Sequence, residues 1–266
     1  MSRRLLIGTA WLAAALLLLL PLYVIVAGAL SAGWEHCWRA WQEPDTRHAL
    51  LLTLTVSALT VPVNLLFGLA LAWLLTRFEF RGRSLLLTLL DVPFAVSPVI
   101  AGLLYLMLYG RESPLGRFFF AIHLPLVFSL AGIVLVTIFV TAPLVARELI
   151  PFMQQHGRRE EEAALTLGAR AGALWRRVTL PTILYPLLSG IALTNARAVG
   201  EFGAVSVLSG NIRGLTNTLA LHVELLYQDY QTAAAFASAL LLLLLALPPL
   251  LFKAWCRRRQ HQSASR

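Results

Sequence analysis

The chain has 266 residues, of which 58% are hydrophobic and 13% are charged, with a formal net charge of +9 and a mean hydropathy of +0.74. This composition is too apolar for a soluble domain and predicts a protein embedded among membrane lipids. The positive charge requires no nucleic-acid partner, because its distribution along the chain is the one that sets membrane topology.

Six apolar runs are long enough to cross a hydrocarbon core of about 30 Å as helices. They lie at residues 5–30, 49–75, 85–109, 124–146, 182–208 and 232–252. Since no run alternates with the period of two that a membrane barrel needs, the sequence predicts an all-α integral membrane bundle of six transmembrane helices.

The basic residues indicate the orientation of this bundle. With six spans, most of them fall on one side: Arg3, Arg4, Arg77, Arg81, Arg83, Arg147, Arg158, Arg159, Arg170, Arg176, Arg177, Lys253, Arg257, Arg258 and Arg259. The opposite loops hold Arg39, Arg47, Arg111 and Arg117. The positive-inside rule therefore places both termini in the cytoplasm.

Residues 1–47 are expected to form an N-terminal transmembrane helix and an outer interfacial segment. In that segment Trp34, Trp38 and Trp41 recur at helical spacing, which is typical of an amphipathic stretch at a membrane interface. Residues 48–252 hold spans two to six, and residues 253–266 form a basic tail expected in the cytoplasm.

Two polar features stand out within the second and third spans. A stripe of small polar side chains runs along the second: Thr53, Ser57, Thr60 and Asn64. We expect this stripe to face other helices. In the third, Pro93 and Pro98 break the helical ladder, and Asp91 is expected to point into the bundle because a carboxylate facing lipid is costly.

The loop at residues 157–181 is a polar island between apolar spans. Gly157 frees the chain, and three consecutive glutamates then suit the first turn of a helix, where the dipole favours acids. Gly168 stands where a left-handed residue would end this helix, and Pro181 suits the first turn of the fifth span. These signals predict a helix–turn–helix knuckle that projects from the membrane.

The spacing in this loop is Glu-Ala-Ala, three residues, Gly, nine residues, Val, one residue and Leu-Pro, from Glu162 to Pro181. It resembles the cytoplasmic coupling loop of bacterial ABC importer permeases. The resemblance implies a type I importer permease bundle, driven by two copies of a separate ATPase subunit that binds ATP and magnesium. It assigns the coupling to Glu162, Ala163, Ala164, Gly168, Ala169, Trp175, Leu180 and Pro181.

The chain lacks the residues of an ATPase or another enzyme. A phosphate-binding loop needs Gly-Lys-Ser/Thr, but the single lysine, Lys253, stands between Phe252 and Ala254. Cys37 and Cys256 fall on opposite sides of the predicted membrane, so they cannot form a disulfide. We therefore expect a non-catalytic subunit that binds no metal and no cofactor of its own.

Three further stretches indicate the substrate. NARAVGEFGA at residues 195–204 resembles the fifth span of sulfate and molybdate importer permeases. Residues 205–219, together with DVPFAVSP at 91–98, are more similar to sulfate/thiosulfate permeases of the CysW type. The resemblance implies an inner-membrane importer in which the chain pairs with a second, CysT-type permease, and to which an external sulfate/thiosulfate-binding protein delivers the anion.

Polar residues in and around the spans are candidates for the translocation path or its gate: Asp91, Asn195, Arg197, Glu201, Ser206, Ser209 and Arg213. Arg197 and Glu201 are four residues apart on one helix face and can pair. Our hypothesis is that the pair is mainly structural, although a free Arg197 could attract an oxyanion through its planar fork. The polar residues near 206–213 would either meet the arriving anion or cap the span.

His222 and Glu224 lie in the last outer segment, between Leu219 and Gln231. A metal site there would need more ligands, so we interpret the two as the polar face of an interfacial helix. A surface for the external binding protein is the function that we expect of this segment.

Three alternatives remain at this stage. The nearest is a molybdate or tungstate permease that works as a homodimer. A second is a secondary anion transporter that uses Asp91, Arg197 or Glu201 as an ion relay, against which the coupling loop argues. A third is an intramembrane enzyme, for which the catalytic constellations are missing.

Overall fold

The computed structural model describes residues 3–264. All regular elements in that range are helices, which confirms the predicted all-α class. Five helical segments, three of which join adjacent elements, are long and apolar enough to cross a membrane, and a bent pair makes a sixth candidate span. Positions 1, 2, 265 and 266, which the predicted first and last segments include, lie outside the described residues.

The first span lies at the edge of the bundle. It consists of α1 (Arg3–Ala14), a first π turn (Ala15–Leu19) and α2 (Leu20–Leu30). From Leu5 to Leu30 its side chains are mostly exposed apolar groups, which suits a helix surrounded by lipid. Close to its end, Gly28 lies against the ring of Phe236, where any side chain would collide.

The outer segment contains the predicted amphipathic helix, α3 (Trp34–Gln42). Trp34 and Trp38 are exposed, but Trp41 turns inward, and its Nε1 donates a hydrogen bond to the carbonyl oxygen of Ala237 at 2.8 Å. Cys37 is buried on the same inner face. The helix therefore anchors the outer end of the first span to the last span.

The second span is the 34-residue helix α4 (Pro44–Arg77). Its polar stripe is buried, as predicted, and two of its members bond to neighbouring helices. Asn64 Nδ2 donates to Thr141 Oγ1 at 2.6 Å, and Thr53 Oγ1 accepts from the backbone N–H of Leu219 at 2.8 Å. These bonds hold the middle of the bundle together.

The third span is broken, as the prolines predict. It consists of α5 (Arg83–Ala95) and α6 (Pro98–Tyr109), which meet at an angle of 101°. The following loop contains a short helix, α7 (Pro114–Ala121), since proline is well tolerated in a first turn and Ser113 caps it.

The fourth span differs from its predicted bounds of 124–146. It consists of α8 (Leu130–Thr141) and α9 (Pro143–His156), so it starts six residues later and ends ten residues later. The helix continues through Glu148, a good helix former, and Lys253 Nζ lies 2.8 Å from its carboxylate and compensates its charge.

The knuckle follows, with α10 (Arg159–Thr166) and α11 (Ala171–Leu174). A second π turn (Trp175–Thr179) then continues directly into α12 (Leu180–Val199). The fifth span therefore covers Ala171–Val199, and the predicted bounds of 182–208 are wrong at both ends.

Pro181 lies in the first turn of α12, as predicted, but α12 continues without a break from the π turn before it. The wide π turn precedes it, and there the N–H of Leu180 donates to the carbonyl of Trp175, five residues back. This register accommodates a residue that has no N–H of its own. At the other end the helix stops at Val199, and a separate short helix, α13 (Gly203–Ser209), follows.

The chain ends with α14 (Leu219–Gln228) and α15 (Thr232–Ala264). The last helix continues without a break past residue 252, so the first part of the predicted basic tail, residues 253–264, is helical. The inner core packs α4, α9 and α12 together around Leu75, Val145, Leu149 and Ile183. A second core packs α6, α8 and α13 around Ile133, Val136 and Val205.

Candidate functional site

The knuckle has the predicted helix–turn–helix form. Gly157 has a φ of +66° and Gly168 a φ of +82°, both in the region that favours glycine. At the end of α10 the N–H of Ala169 donates to the carbonyl of Ala164 at 3.0 Å, so the left-handed Gly168 closes the helix. A side chain at position 168 would meet no atom within 4 Å.

The residues of the coupling motif divide into two sets. Glu162, Ala163 and Gly168 are exposed, and Ala164 and Ala169 are half-buried. Next to them Leu167 has 88% of its surface exposed. The outer face of the knuckle thus presents an apolar side chain beside acidic ones.

The second set lies at the membrane end of the motif and mostly turns inward. The Trp175 ring packs edge-on against Trp73, with centroids 5.1 Å apart. Leu180 packs against the inner core, while Pro181 is exposed. Trp175 and Leu180 therefore position the knuckle and are not on its exposed surface.

Sequence reasoning missed the polar contacts that join the knuckle to the bundle. Glu161, next to the motif acid Glu162, forms an ion pair of 2.8 Å with Arg77 at the end of α4. Arg158 Nη2 donates to the carbonyl oxygens of Thr76 and Arg77, at 3.2 and 2.6 Å. A run of three glutamates gives no sign of which one faces inward.

Asp91 does not point into the bundle, so this expectation is wrong. Its side chain is 59% exposed and forms an ion pair of 2.5 Å with Arg147 of α9. The same guanidinium lies 4.0 Å from the ring centroid of Phe94. The carboxylate needs no buried partner because Arg147 compensates it at the surface, beside a cavity of about 260 Å³.

Arg197 and Glu201 form the predicted ion pair, with 2.9 Å between nitrogen and oxygen. The premise of one helix face is wrong, however, because α12 ends at Val199 and Glu201 lies in the break. Glu201 Oε1 accepts from the N–H of Ala204 at 3.1 Å and so caps α13. Asn195 is half-buried in the last turns of α12.

The remaining path candidates form polar contacts within residues 203–229. Ser206 Oγ donates to the carbonyl of Gly203 at 2.9 Å. Ser209 is buried, and its Oγ accepts from the N–H of Asn211 at 3.1 Å. Arg213 forms an ion pair with Asp229, and both side chains are nearly half exposed.

His222 is not on a polar face, contrary to our interpretation. It is buried, its Nε2 lies 3.0 Å from Thr46 Oγ1, and its Nδ1 faces the amide of Asn217. Burial lowers the pKa of His222, Asp45 opposes this shift and Arg213 adds to it. Across residues 3–264 no group of three or more His, Cys, Asp and Glu side chains could hold a metal ion.

Comparisons with known proteins place this geometry in a family. Residues 64–262 match the model of the binding-protein-dependent transport system inner membrane component. Over 261 residues the chain is 52% identical to the sulfate transport system permease protein CysW of Escherichia coli, covering 98% of this chain and 90% of that one. It is 36% identical to the sulfate transport system permease protein CysT of Salmonella typhimurium, covering 88% and 86%.

A solved structure supports the fold. The chain aligns with one from a bacterial alginate ABC transporter in complex with an alginate pentasaccharide-bound periplasmic protein, with a TM-score of 0.76. The alignment covers 97% of this chain and 94% of that one at 16% identity, so it bears on the fold alone. The chain is thus a multi-pass membrane protein of the type I ABC importer permease fold, and it belongs to the family of binding-protein-dependent transport system inner membrane components, within the sulfate transport system permeases.

Proposed function

We propose that the chain is the permease subunit of an ATP-driven sulfate/thiosulfate importer. It forms half of the translocation path and couples that path to a separate ATPase. The observation that carries the proposal is the knuckle, whose motif residues Glu162 and Gly168 and neighbouring Leu167 are exposed beyond the bundle. An exposed apolar side chain rimmed by polar groups suits a partner surface.

The proposed assembly has four kinds of subunit. Two copies of an ATPase, which bind ATP and magnesium, dock on the knuckle of this chain and on that of a second, CysT-type permease. An external sulfate/thiosulfate-binding protein docks on the opposite side. The existence of a homologous permease called CysT, 36% identical to this chain, supports pairing between two different permeases.

The proposed orientation follows from where the ATPase works. Because its ATP is in the cytoplasm, the knuckle and both termini face the cytoplasm, in agreement with the distribution of arginines. The candidates for the translocation path are part of the same proposal. Of these, Asp91, Arg197 and Arg213 keep a substantial part of their side chains at the surface of the chain, where a path between two permeases would run.

The relatives called sulfate permeases favour sulfate over the molybdate or tungstate alternative. The test is a mild-detergent pull-down of the tagged chain from native membranes, with the partners identified by mass spectrometry. We expect an ATPase and a second, distinct permease. An ATPase without a second permease would favour a homodimeric oxyanion importer, and recovery without any ATPase would contradict the coupling function.

A further inference from the structure

The base of the knuckle is joined to two membrane spans through one largely shielded carboxylate. Glu161 Oε1 lies 2.8 Å from Arg77 Nη2 and accepts a hydrogen bond from Thr179 Oγ1 at 3.1 Å. Arg77 is the last residue of α4, and Thr179 ends the π turn that leads into α12. A single oxygen atom thus connects α10 to the second and fifth spans.

This connection is shielded from water, unlike the neighbouring ones. The side chains of Arg77 and Glu161 are 11% and 12% exposed. The bonds from Thr182 to Glu160 and from Arg158 to Thr76 and Arg77 are exposed. Water competes with exposed polar contacts, so the pair between Arg77 and Glu161 is the least weakened by water among these contacts at the base of the knuckle.

Arg77 is also held in place by an aromatic side chain. Its guanidinium carbon lies 5.5 Å from the ring centroid of Trp73, which packs edge-on against Trp175 of the π turn. A guanidinium over an aromatic ring gains from cation–π attraction. Arg77 also stands at the carboxyl end of α4, where the helix dipole favours a cation. The donor that faces Glu161 is therefore held close to both spans.

The helix that carries Glu161 needs such a support. α10 has eight residues, and an isolated helix of that length is not stable in water. Its other face, with Glu162 and Leu165, is exposed. A displacement of α10 by a docked partner therefore reaches the spans mainly through the contacts at its base.

We propose that Glu161, and not the neighbouring motif acid Glu162, is the positioning residue that transmits the movement of the coupling helix to the second and fifth spans. The proposal rests on the proposed function, because it requires a docked ATPase. The two neighbouring acids then have different roles. The exposed Glu162 faces the ATPase, whereas Glu161 forms the ion pair with Arg77.

The test uses the complete complex in proteoliposomes, with the binding protein and sulfate, and measures sulfate taken up per ATP hydrolysed. Glu161→Gln has nearly the same shape and can still accept from Thr179, but it carries no charge and so forms no ion pair with Arg77. We expect the ATPase to stay bound and to hydrolyse ATP, while sulfate uptake per ATP falls about fivefold or more. Glu79→Gln is the matched control, since Glu79 is exposed and has no polar partner within residues 3–264.

The double variant Arg77→Glu/Glu161→Arg separates transmission from a general loss of folding. We expect the reversed pair to regain most of the uptake per ATP that either single reversal loses. If Glu161→Gln keeps the wild-type ratio, or if the reversed pair regains neither assembly nor uptake, the proposal is overturned. A wild-type complex without ATP-dependent sulfate uptake would instead contradict the proposed function, so the two failures are distinguishable.

Discussion

The guanidinium of Arg197 lies 2.9 Å from a carboxylate oxygen of Glu201, across the point where α12 ends. The glutamate side chain is 1% exposed and the arginine side chain 40%. Because the second oxygen of Glu201 caps α13 through the N–H of Ala204, one carboxylate serves both the arginine and the next helix. This geometry favours the hypothesis that the pair is structural.

Arg197→Ala should therefore destabilise the protein more than removal of both charges does. The single change leaves a buried carboxylate without its cation, which costs about 3 kcal/mol of unfolding free energy. In Arg197→Ala/Glu201→Gln the neutral amide still accepts from Ala204, so most of that loss should be recovered. Thermal unfolding of the purified protein measures both variants.

The control for this pair is Arg39→Ala, since Arg39 and Glu35 form an exposed ion pair on α3. We expect a change below about 0.5 kcal/mol there. A double variant no more stable than Arg197→Ala would contradict the structural account. So would an Arg197→Ala protein that assembles normally but no longer transports the anion.

Gly168→Asp should leave the protein folded but weaken its binding to the ATPase. The position is left-handed and open, so the new side chain projects outward from the exposed face of the knuckle. An unpaired carboxylate trapped in an interface is costly, and we expect a loss of affinity of roughly tenfold or more. The measurement is the amount of ATPase recovered with the purified variant.

Gly168→Asn is the matched control for this substitution. Asparagine has nearly the same shape as aspartate and also tolerates the left-handed conformation, but it has no charge. We expect it to keep most of the ATPase binding. Equal losses in the two variants would show that the backbone conformation, and not the added charge, causes the effect.

The spans could be predicted from the sequence because lipid requires long apolar helices, and such helices leave a strong signal. Their ends were harder to place. Lys253 compensates Glu148 from another helix, and this contact joins residues 105 positions apart. The π turn before Pro181 has no sequence signal that we recognise, so the continuous helix through it was missed.

In the candidate site, too, local features could be predicted from the sequence and long-range contacts could not. The turn at Gly168 is local, and its glycine is visible in the sequence. The inward direction of Glu161 depends on Arg77, which lies 84 residues earlier. The exposed position of Asp91 depends on Arg147, which follows 56 residues later. Contacts of this kind follow from the packing of the spans and cannot be read from a motif.

Asp91→Cys should react with a charged, membrane-impermeant thiol reagent in permeabilised membranes. A charged pair cannot face lipid, so the exposed face that holds Asp91 and Arg147 must contact water or protein. Thr60→Cys is the control, since Thr60 is fully buried. The native thiols, Cys37 and Cys256, are also buried and should give little background. If Asp91→Cys reacts no faster than Thr60→Cys, the position does not face a water-filled path.

The stability of the protein should fall as the pH drops below about 6.5, and His222 should be one cause. Burial lowers the pKa of His222 in the folded state, so below its ordinary value the unfolded chain takes up the proton first. The stability contributed by the neutral ring is fully present above about pH 6.5 and decreases as the pH falls. His222→Gln should reduce the slope of melting temperature against pH in this window, whereas His36→Gln, at an exposed position of α3, should leave it as in the wild type. An unchanged slope in His222→Gln would mean that other groups cause the acid sensitivity.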